Sequence, residues 1–317
     1  MKTKGIFTIS IDLELAWGVC DKVISPGAYK AISSERQIIK DILDLFSKFD
    51  IRATWAVVGH LLLSKCKRGD PLIHPEIPRP IANNLKNDWF FQHPVKDADP
   101  FWYGQDIIKA IKDARPRQEI ASHSFSHMIF DERTANPAAA LADLTKAKEL
   151  HLSLGLPFEI FVFPRNKVGF KNLLSQTGVS GYRGKNPRWY DMIPAPLLKR
   201  MINLLYFVFS VPPEAVAAQK DEFGMVNIPD SMLFSGRDGI RRVIPGSALV
   251  KMGKAGLDKA AETGKIFHLW FHPSNFTCKT KQQFSALEKI LNYAVLLKQN
   301  GRLEVLTLND ISNQIKG

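Results

Sequence analysis

Two patterns of apolar residues alternate along the chain. Short runs rich in apolar and β-branched residues predict strands, and stretches with apolar residues every three or four positions predict amphipathic helices. Strands that alternate with helices form parallel βα units, in which helices cover both faces of the sheet. The predicted strands are GIFTISID, IRATWAVVG, RQEIASH, FEIFVFP, VSGYRG, GMVNIP, KIFHLWF and LEVLTL. The predicted helices are ERQIIKDILDLFSKF, QDIIKAIKDA, PAAALADLTKAKELHLSLG, FKNLLSQTG, SALVKMGKAGLDKAAETG and KQQFSALEKILNYAVLLKQNG.

This order of elements predicts an α/β fold. Roughly seven to eight βα units over this length favour a (β/α) barrel over an open sheet. We found no internal repeat and no stretch with the composition of a linker, so we expect residues 1–317 to form one domain.

Two stretches interrupt the rhythm and are interpreted as insertions, at about 64–103 and 187–213. The first is rich in Pro, Asn, Trp and His. A loop of this length is usually a lid or a binding loop, or else it is mobile. The second, RWYDMIPAPLLKRMINLLYFVFSVPP, is very apolar and has basic residues beside it. A helix packed on the barrel is the favoured interpretation, and an interfacial membrane contact is the alternative.

The net charge of +12 and the pI of about 9.5 change this picture only slightly. A basic protein suits anionic partners such as an anionic glycan or a phospholipid surface, but the basic residues are spread along the chain as on a solvated surface. No nucleic-acid-binding motif is present, so we expect no nucleic-acid partner. Three distant cysteines form neither a disulfide framework nor a zinc motif.

The amino-terminal segment is read as the first strand and not as a signal peptide. Its apolar part is short and is interrupted by Asp12 and Glu14. The longest apolar run, Met201 to Val211, is shorter than the ~20 residues that a membrane-spanning helix needs. We therefore expect a soluble, cytoplasmic protein.

Ionisable residues lie at the ends of several predicted strands, where a barrel carries its chemistry. Asp12 and Glu14 are two positions apart and share one face of the first strand. Two carboxylates in an apolar segment are costly to bury unless a cation pairs with them. The pair is therefore either a functional site or a pair of satisfied polar residues.

The stretch EIASHSFSHMIF places His123 and His127 four residues apart, about one helical turn, so both rings can point the same way. Alone, this spacing is also compatible with two histidines that only share a face. With a carboxylate from another strand it becomes a two-histidine, one-carboxylate set that suits zinc or another divalent ion.

The late strand IFHLWFH brings His268, Trp270 and His272 onto one face. One of its histidines is a candidate general acid, and a structural histidine bonded to the backbone is the alternative, more so for His268. Arg165, in FVFPRN, ends another strand and is a candidate to hold a carboxylate ionised.

Together and in this order, SIDLE, HSFSH, FPRN and LWFH resemble the motifs of the NodB-type polysaccharide deacetylases, carbohydrate esterase family four. The resemblance extends from Gly5 to about Leu308. It implies a distorted (β/α)7 barrel of the NodB, or glycoside hydrolase/deacetylase, type.

The resemblance also implies roles for individual residues. Asp12 would be the general base, and His272 would be the acid that protonates the leaving amine. Glu14, His123 and His127 would bind a divalent metal ion, with zinc as the default.

The sequence departs from the family pattern in three places. Leu13 stands where the usual metal-binding aspartate would be, so the ligand role passes to Glu14. Phe163 replaces the usual arginine before the proline, and Arg165 follows Pro164. The family's oxyanion tyrosine is not visible. Candidate replacements and substrate-contacting residues are Asn166 for the oxyanion, Arg183 as another carboxylate partner, and Trp189 and Trp270 as walls.

The implied activity is metal-dependent deacetylation of an N-acetylated amino sugar. Without a signal peptide, the carbohydrate substrate would be a lipid-linked or surface-glycan precursor met at the inner leaflet of the membrane. The alternatives are an amidase that acts on a non-sugar amide, and a catalytically silent glycan-binding member of the family. The oligomeric state is not predicted.

Overall fold

The structure, a computed structural model, describes residues 3–20, 24–66 and 99–316. Helices and strands alternate along these residues, as the apolar pattern predicted. The strands are β1 Gly5–Leu13, β2 Thr54–Val57, β3 Glu119–Ser122, β4 Ile160–Val162, β5 Gly181–Gly184, β6 Gln219–Lys220, β7 Val226–Pro229, β8 Met232–Leu233, β9 Ile266–Phe271 and β10 Leu303–Val305. The α-helices are α1 Pro26–Phe49, α2 Gln105–Asp113, α3 Pro137–Ser153, α4 Lys171–Gln176, α5 Pro196–Val208, α6 Gly246–Thr263, α7 Thr280–Gln299 and α8 Leu308–Lys316.

The long strand β1 pairs with three other strands of the sheet. It pairs in parallel with β9 along one edge. Its other edge is shared, because β10 pairs with its first residues and β2 with its last ones. The sheet continues from β2 through β3, β4 and β5 to β7, all in parallel, and β6 is antiparallel to β7.

The sheet curls into a distorted barrel through the segment that contains β7 and β8. β7 pairs with β5, whereas β8 pairs with β9. Between them, the backbone N–H of Asp230 donates to Gly184 and that of Ser231 donates to His268. The chain thus crosses from one edge of the sheet to the other, and β7 and β8 together occupy the seventh strand position. This confirms the predicted fold class.

Local signals in the sequence explain where two of the helices begin. The side chain of Ser25 accepts a hydrogen bond from the N–H of Ala28, and Pro26 occupies the first turn of α1. Asn136 caps α3 in the same way, with Pro137 in its first turn. A capping oxygen satisfies a free backbone N–H, and a proline in the first turn has no N–H to lose.

The interior of the barrel changes from apolar to polar along its axis. At the amino-terminal ends of the strands, Leu308 and Ile311 of α8 pack among the aliphatic side chains of the strands. Further along β1, the buried inward residues are Thr8, Ser10 and Asp12. Their outward neighbours, such as Ile9 and Ile11, join the main core. The polar end is therefore built at the carboxyl ends of the strands, where chemistry is placed in such barrels.

The two predicted insertions have different outcomes. Residues 67–98, most of the segment 64–103, lie outside the described residues. The segment 187–213 contains a 3-10 turn, Trp189–Met192, and helix α5. The interpretation of the chain as one domain stays a prediction. Among the residues that the structure describes, no helix is both long and apolar enough to cross a membrane.

Candidate active site

Five ionisable residues from three strand ends meet at the mouth of the barrel. The acids lie at the end of β1, the histidine pair follows β3, and the last histidine follows β9. They form two overlapping clusters in which the ligand atoms lie within 4.8 Å of one another. The clusters are Glu14, His123 and His127, and Asp12, Glu14 and His272.

One carboxylate oxygen contacts both histidines of the first cluster. Oε1 of Glu14 lies 3.1 Å from Nε2 of His123 and 3.0 Å from Nε2 of His127. Ligands about 2 Å from a tetrahedral ion would lie about 3.3 Å apart. The three donor atoms therefore have close to the spacing of one face of a metal site.

The hydrogen bonding of His123 makes this arrangement informative. Its Nδ1 lies 2.7 Å from the carbonyl oxygen of Val162, an acceptor, so Nδ1 carries a proton. In the neutral ring, Nε2 then presents a lone pair to the carboxylate of Glu14. Two acceptors face each other unless a cation lies between them or the ring is protonated. A backbone carbonyl on the far nitrogen is also how metal-binding histidines are held.

The two histidines meet through a bend and not through a helical turn. Residues 123–130 contain no helix, and Ser124 and His127 both have positive φ angles, 63° and 57°. Asp143 of α3 holds the bend, because its carboxylate accepts from the N–H groups of Phe125 and Ser126 and from the hydroxyl of Ser126. The sequence prediction of a shared direction is compatible with this geometry, but the helical reason for it is wrong.

Glu14 precedes the 3-10 turn Leu15–Val19 and is packed closely against it. A Cβ atom on Gly18 would collide with the Glu14 carboxylate, so the glycine leaves room for this side chain. Burial alone would raise the pKa of Glu14. The charges of His272 and His127 and the hydrogen bonds of the histidine pair outweigh burial and place the pKa well below its usual value.

Asp12 is paired with an arginine from β5. Nη1 and Nη2 of Arg183 donate to the two Asp12 oxygens, at 2.6 and 2.7 Å, and both side chains are buried. Burial tends to raise the pKa of Asp12, but the charge of Arg183, with smaller contributions from His123 and His272, lowers it. A bidentate pair of this kind keeps the carboxylate ionised and fixes its direction.

A second layer of hydrogen bonds holds Arg183. Its Nη1 donates to Ser10, and the Ser10 hydroxyl lies 2.8 Å from Nε2 of His268. Nδ1 of His268 donates to the carbonyl of Pro229. Burial and the nearby Arg183 charge lower the pKa of His268 to about 3, so the ring is neutral. His268 is therefore the structural histidine of this strand.

His272 lies between the two carboxylates and is partly exposed. Its Nε2 is 3.6 Å from Asp12 and 3.4 Å from Glu14. Burial would lower the pKa of His272, but the charge of Glu14, a hydrogen bond to it and the charge of Asp12 raise the pKa to about 9. The ring is thus protonated at neutral pH, the form in which a histidine can donate a proton.

The two tryptophans singled out in the sequence have different surroundings. Trp270 lies beside the site, because the guanidinium of Arg183 stacks 4.5 Å from its ring and its Nε1 donates to Asp230. Trp189 lies on the turn after β5, mostly exposed, and donates to the hydroxyl of Tyr206.

The structure reassigns two of the candidate residues. The pairing with Asp12 suggested for Arg165 is made by Arg183, whereas Arg165 is exposed on a turn with a φ of 54°. The N–H of Asn166, suggested as an oxyanion donor, is bonded to the carbonyl of Phe163. The side-chain oxygen of Asn166 accepts from Arg183 instead, so Asn166 helps to hold the arginine.

Sequence reasoning missed two buried acids, one that holds the histidine bend and one that the charge of Glu14 affects. Asp143 sits in the middle of a helical pattern where only its place on the buried face could have marked it. Glu35 of α1 is buried, and burial together with the Glu14 charge raises its pKa to about 8. An acid within an otherwise apolar helix face was the available signal for both.

Comparison with known proteins places this geometry in a known fold. The structure superposes on a Mycobacterium smegmatis protein assigned as a polysaccharide deacetylase with a TM-score of 0.64 and 13% identity, over 99% of this chain and 91% of that one. The chain has the polysaccharide deacetylase fold. A protein of Pseudomonas aeruginosa PAO1 with the same assignment gives a TM-score of 0.61 at 12% identity, over 97% and 89% of the two chains.

PuuE allantoinase gives a TM-score of 0.59 at 14% identity, over 99% of this chain and 91% of that one. No family model matches the sequence, and a search of curated proteins found no match. The NodB-type resemblance of the four short motifs is thus confirmed as far as the fold is concerned. The sequence identities are too low to assign the activity of these proteins to this chain.

Proposed function

We propose that the protein is a metal-dependent deacetylase that hydrolyses the N-acetyl group of an amino sugar. The observation that carries this proposal is the arrangement at the barrel mouth. Nε2 of His123 and Nε2 of His127 both face one oxygen of the Glu14 carboxylate, and a separate buried carboxylate, Asp12, and His272 lie beside them. Amide hydrolysis needs an electrophilic ion, a base and an acid within reach of one carbonyl.

The residues at the site fit a divalent ion. Glu14, His123 and His127 would hold it, and two histidines with one carboxylate suit zinc and leave positions for water and substrate. A bound ion of this kind would polarise the amide carbonyl and lower the pKa of a water molecule.

Asp12 is the general base of the proposed reaction. Each of its oxygens accepts one hydrogen bond from Arg183 and keeps a second lone pair for the proton of the attacking water. The arginine keeps the carboxylate ionised, so it is ready to accept that proton. We do not assign a catalytic role to Arg165.

His272 is the general acid. The water oxygen bonds to the acetyl carbon, the carbon–nitrogen bond breaks, and the leaving nitrogen takes the proton from Nε2 of His272. The products are acetate and a free amine. The negative charges of Glu14 and Asp12 beside the ring favour its protonated form, and without this proton the nitrogen would be a very poor leaving group.

The aromatic residues around the site support a sugar as the substrate. Trp270, beside His272, offers a flat face to a sugar ring, and Trp189 offers a second, more distant one. We further propose that the substrate is a lipid-linked or surface-glycan precursor and that the protein is cytoplasmic. No disulfide joins Cys20, Cys66 and Cys278, as is usual in a reducing compartment.

Hydrolysis of a non-sugar amide is the second candidate. The similarity in structure to an allantoinase supports this candidate, because its TM-score is close to those of the two proteins assigned as deacetylases. The two candidates require the same acid, base and metal ligands and differ only in the contacts that select the substrate.

An assay with matched panels separates these candidates. The protein, loaded with zinc, is incubated with free, nucleotide-linked and polyprenyl-phosphate-linked N-acetyl amino sugars and with small amides, and acetate and primary amine are measured. Equal release of acetate and amine from a sugar, lost in Asp12→Asn and kept in Arg165→Met, is the expected result. Turnover of small amides alone would favour the second candidate. Sugar binding without turnover would identify a silent glycan-binding protein.

A further inference from the structure

Helix α5 exposes the residues that an amphipathic helix normally buries. Phe207 is its only fully buried residue. Leu197, Met201 and Leu205 follow one another at intervals of four, so they lie along one face, and all three are exposed. A helix packed on the barrel through its apolar face, the favoured sequence interpretation, does not account for this surface.

The exposed apolar residues extend beyond the helix in both directions and onto a neighbouring turn. The turn Gly239–Val243 precedes α6, and α6 packs against α5. We call the set the apolar rim. Its most exposed members are Met192 (84%), Leu197 (79%), Ile240 (76%), Phe209 (72%), Val243 (61%) and Trp189 (60%).

Both segments of the apolar rim begin at the catalytic end of the barrel. The segment that carries α5 leaves β5 directly after Arg183, the partner of Asp12. The turn Gly239–Val243 follows β8, a strand parallel to β9. Both segments therefore leave the carboxyl ends of parallel strands, the end at which His272 also lies.

Basic residues accompany the rim. Residues 185–213 contain four basic residues and one acidic residue, and the acid, Asp191, is bonded to Lys185 at 2.8 Å. In the other segment Arg241 and Arg242 stand between Ile240 and Val243. Exposed apolar side chains interleaved with positive charge fit a surface that offers phosphate groups above hydrocarbon.

Aromatic contacts fix the rim in place. Nε1 of Trp189 donates to the hydroxyl of Tyr206 at 2.6 Å, and the Tyr190 ring packs edge-on against both rings. The turn and the helix are thus tied together, so the exposed side chains are displayed by an ordered frame. Tryptophan and tyrosine are the residues that suit a membrane interface.

We propose that the apolar rim binds the surface of an anionic lipid bilayer. The helix lies along the headgroup boundary, with the apolar residues turned to the acyl chains and with Arg200, Arg241 and Arg242 on the phosphates. Because both segments of the rim begin at the barrel mouth, this binding brings the mouth near the bilayer. That such binding would bring the site to a lipid-linked substrate rests on the proposed function, whereas the binding to the bilayer does not.

The test is flotation of the full chain with vesicles of phosphatidylcholine alone or with 30 mole per cent phosphatidylglycerol. We expect binding to the anionic vesicles that weakens in high salt, and at least tenfold weaker binding by the triple variant Leu197→Ser, Met201→Ser, Phe209→Ser. The matched control, Leu152→Ser with Leu296→Ser, changes two leucines that are exposed on α3 and α7 and should bind like the wild type.

Circular dichroism and metal content show whether each variant is folded, and neither depends on the activity. Failure of the wild type to bind anionic vesicles, or equal binding by the triple variant, overturns the proposal. A concentration-dependent dimer that the triple variant abolishes, without vesicle binding, would assign the rim to a second copy of the chain and would overturn it as well. Hydrolysis of a soluble N-acetyl sugar is unaffected by these outcomes, so the proposed function stands or fails separately.

Discussion

Arg183 donates two parallel hydrogen bonds to Asp12, at 2.6 and 2.7 Å, across the mouth of the barrel. The two residues are 171 positions apart in the chain, and both are buried. Removal of one partner of a buried ion pair strongly destabilises a protein, because the remaining charge stays buried without its partner. The pair therefore keeps a carboxylate ionised beside the proposed metal site, and loss of the arginine would leave a buried carboxylate without its bidentate partner.

The first prediction concerns this arginine. Arg183→Met should lower the free energy of unfolding by about 3–5 kcal/mol, because buried Asp12 loses the two hydrogen bonds and the charge of its guanidinium partner, and should reduce kcat at least a hundredfold. Arg165→Met is the control, since Arg165 is exposed, and should change stability by less than about 1 kcal/mol. Urea denaturation and acetate release measure the two effects. A larger loss of activity in Arg165→Met than in Arg183→Met would contradict the assignment.

The second prediction concerns the metal. Protein purified without chelator should contain about one divalent ion per chain, and removal of the ion by chelator should lower Tm. An ion present at a thousand times its dissociation constant stabilises a fold by about 4 kcal/mol. His123→Ala should lose both the ion and the effect of the chelator. His151→Gln removes a buried histidine of α3, whose ring donates to Pro157, and should keep the ion. Metal retention in His123→Ala would exclude this ligand set.

The sequence predicts the strand ends well because burial and strand position depend on local patterns. The motif SIDLE ends the long buried strand β1, and IFHLWFH ends β9 beside it, so register alone brings Asp12 near His272. The alternation of elements was likewise enough for the barrel. The short strands β6 and β8 were missed, because two residues of strand carry almost no pattern. Helix α8 was missed as well.

The sequence does not predict which arginine reaches Asp12. The FPRN motif pointed to Arg165, but pairing across a barrel depends on tertiary geometry that no local pattern encodes. The meeting of His123 and His127 is similar. Four-residue spacing indicated a helical turn, whereas the observed bend depends on three hydrogen bonds to Asp143, a residue sixteen positions further along the chain.

The third prediction concerns the space beside Glu14. Gly18→Ala should push the Glu14 carboxylate away from the histidine pair, because the new Cβ would collide with it, and should weaken metal affinity at least tenfold. The free energy of unfolding without metal should change by less than about 1 kcal/mol, since a carboxylate end moves easily. Gly27→Ala is the matched control, because among the described residues its Cβ would meet only Ser25, at 3.9 Å. Equal metal affinities for the two variants would show that Gly18 does not position Glu14.

The last prediction concerns pH. In the folded protein His268 takes up a proton only near pH 3, because burial and Arg183 lower its pKa, whereas in the unfolded chain it does so near 6.5. The unfolded state thus binds the extra proton between these values, and stability falls by about 1.4 kcal/mol per pH unit for this one group as the pH drops from 6.5. His268→Gln keeps a donor for Pro229 and an acceptor for Ser10 but cannot take up a proton. The free energy of unfolding, measured by urea denaturation from pH 7 to pH 4, should depend less steeply on pH in this variant than in the wild type. The difference in slope should correspond to about one proton. An unchanged slope would mean that His268 is already charged in the fold, and that the neutral ring supporting Ser10 and Arg183 is wrongly assigned.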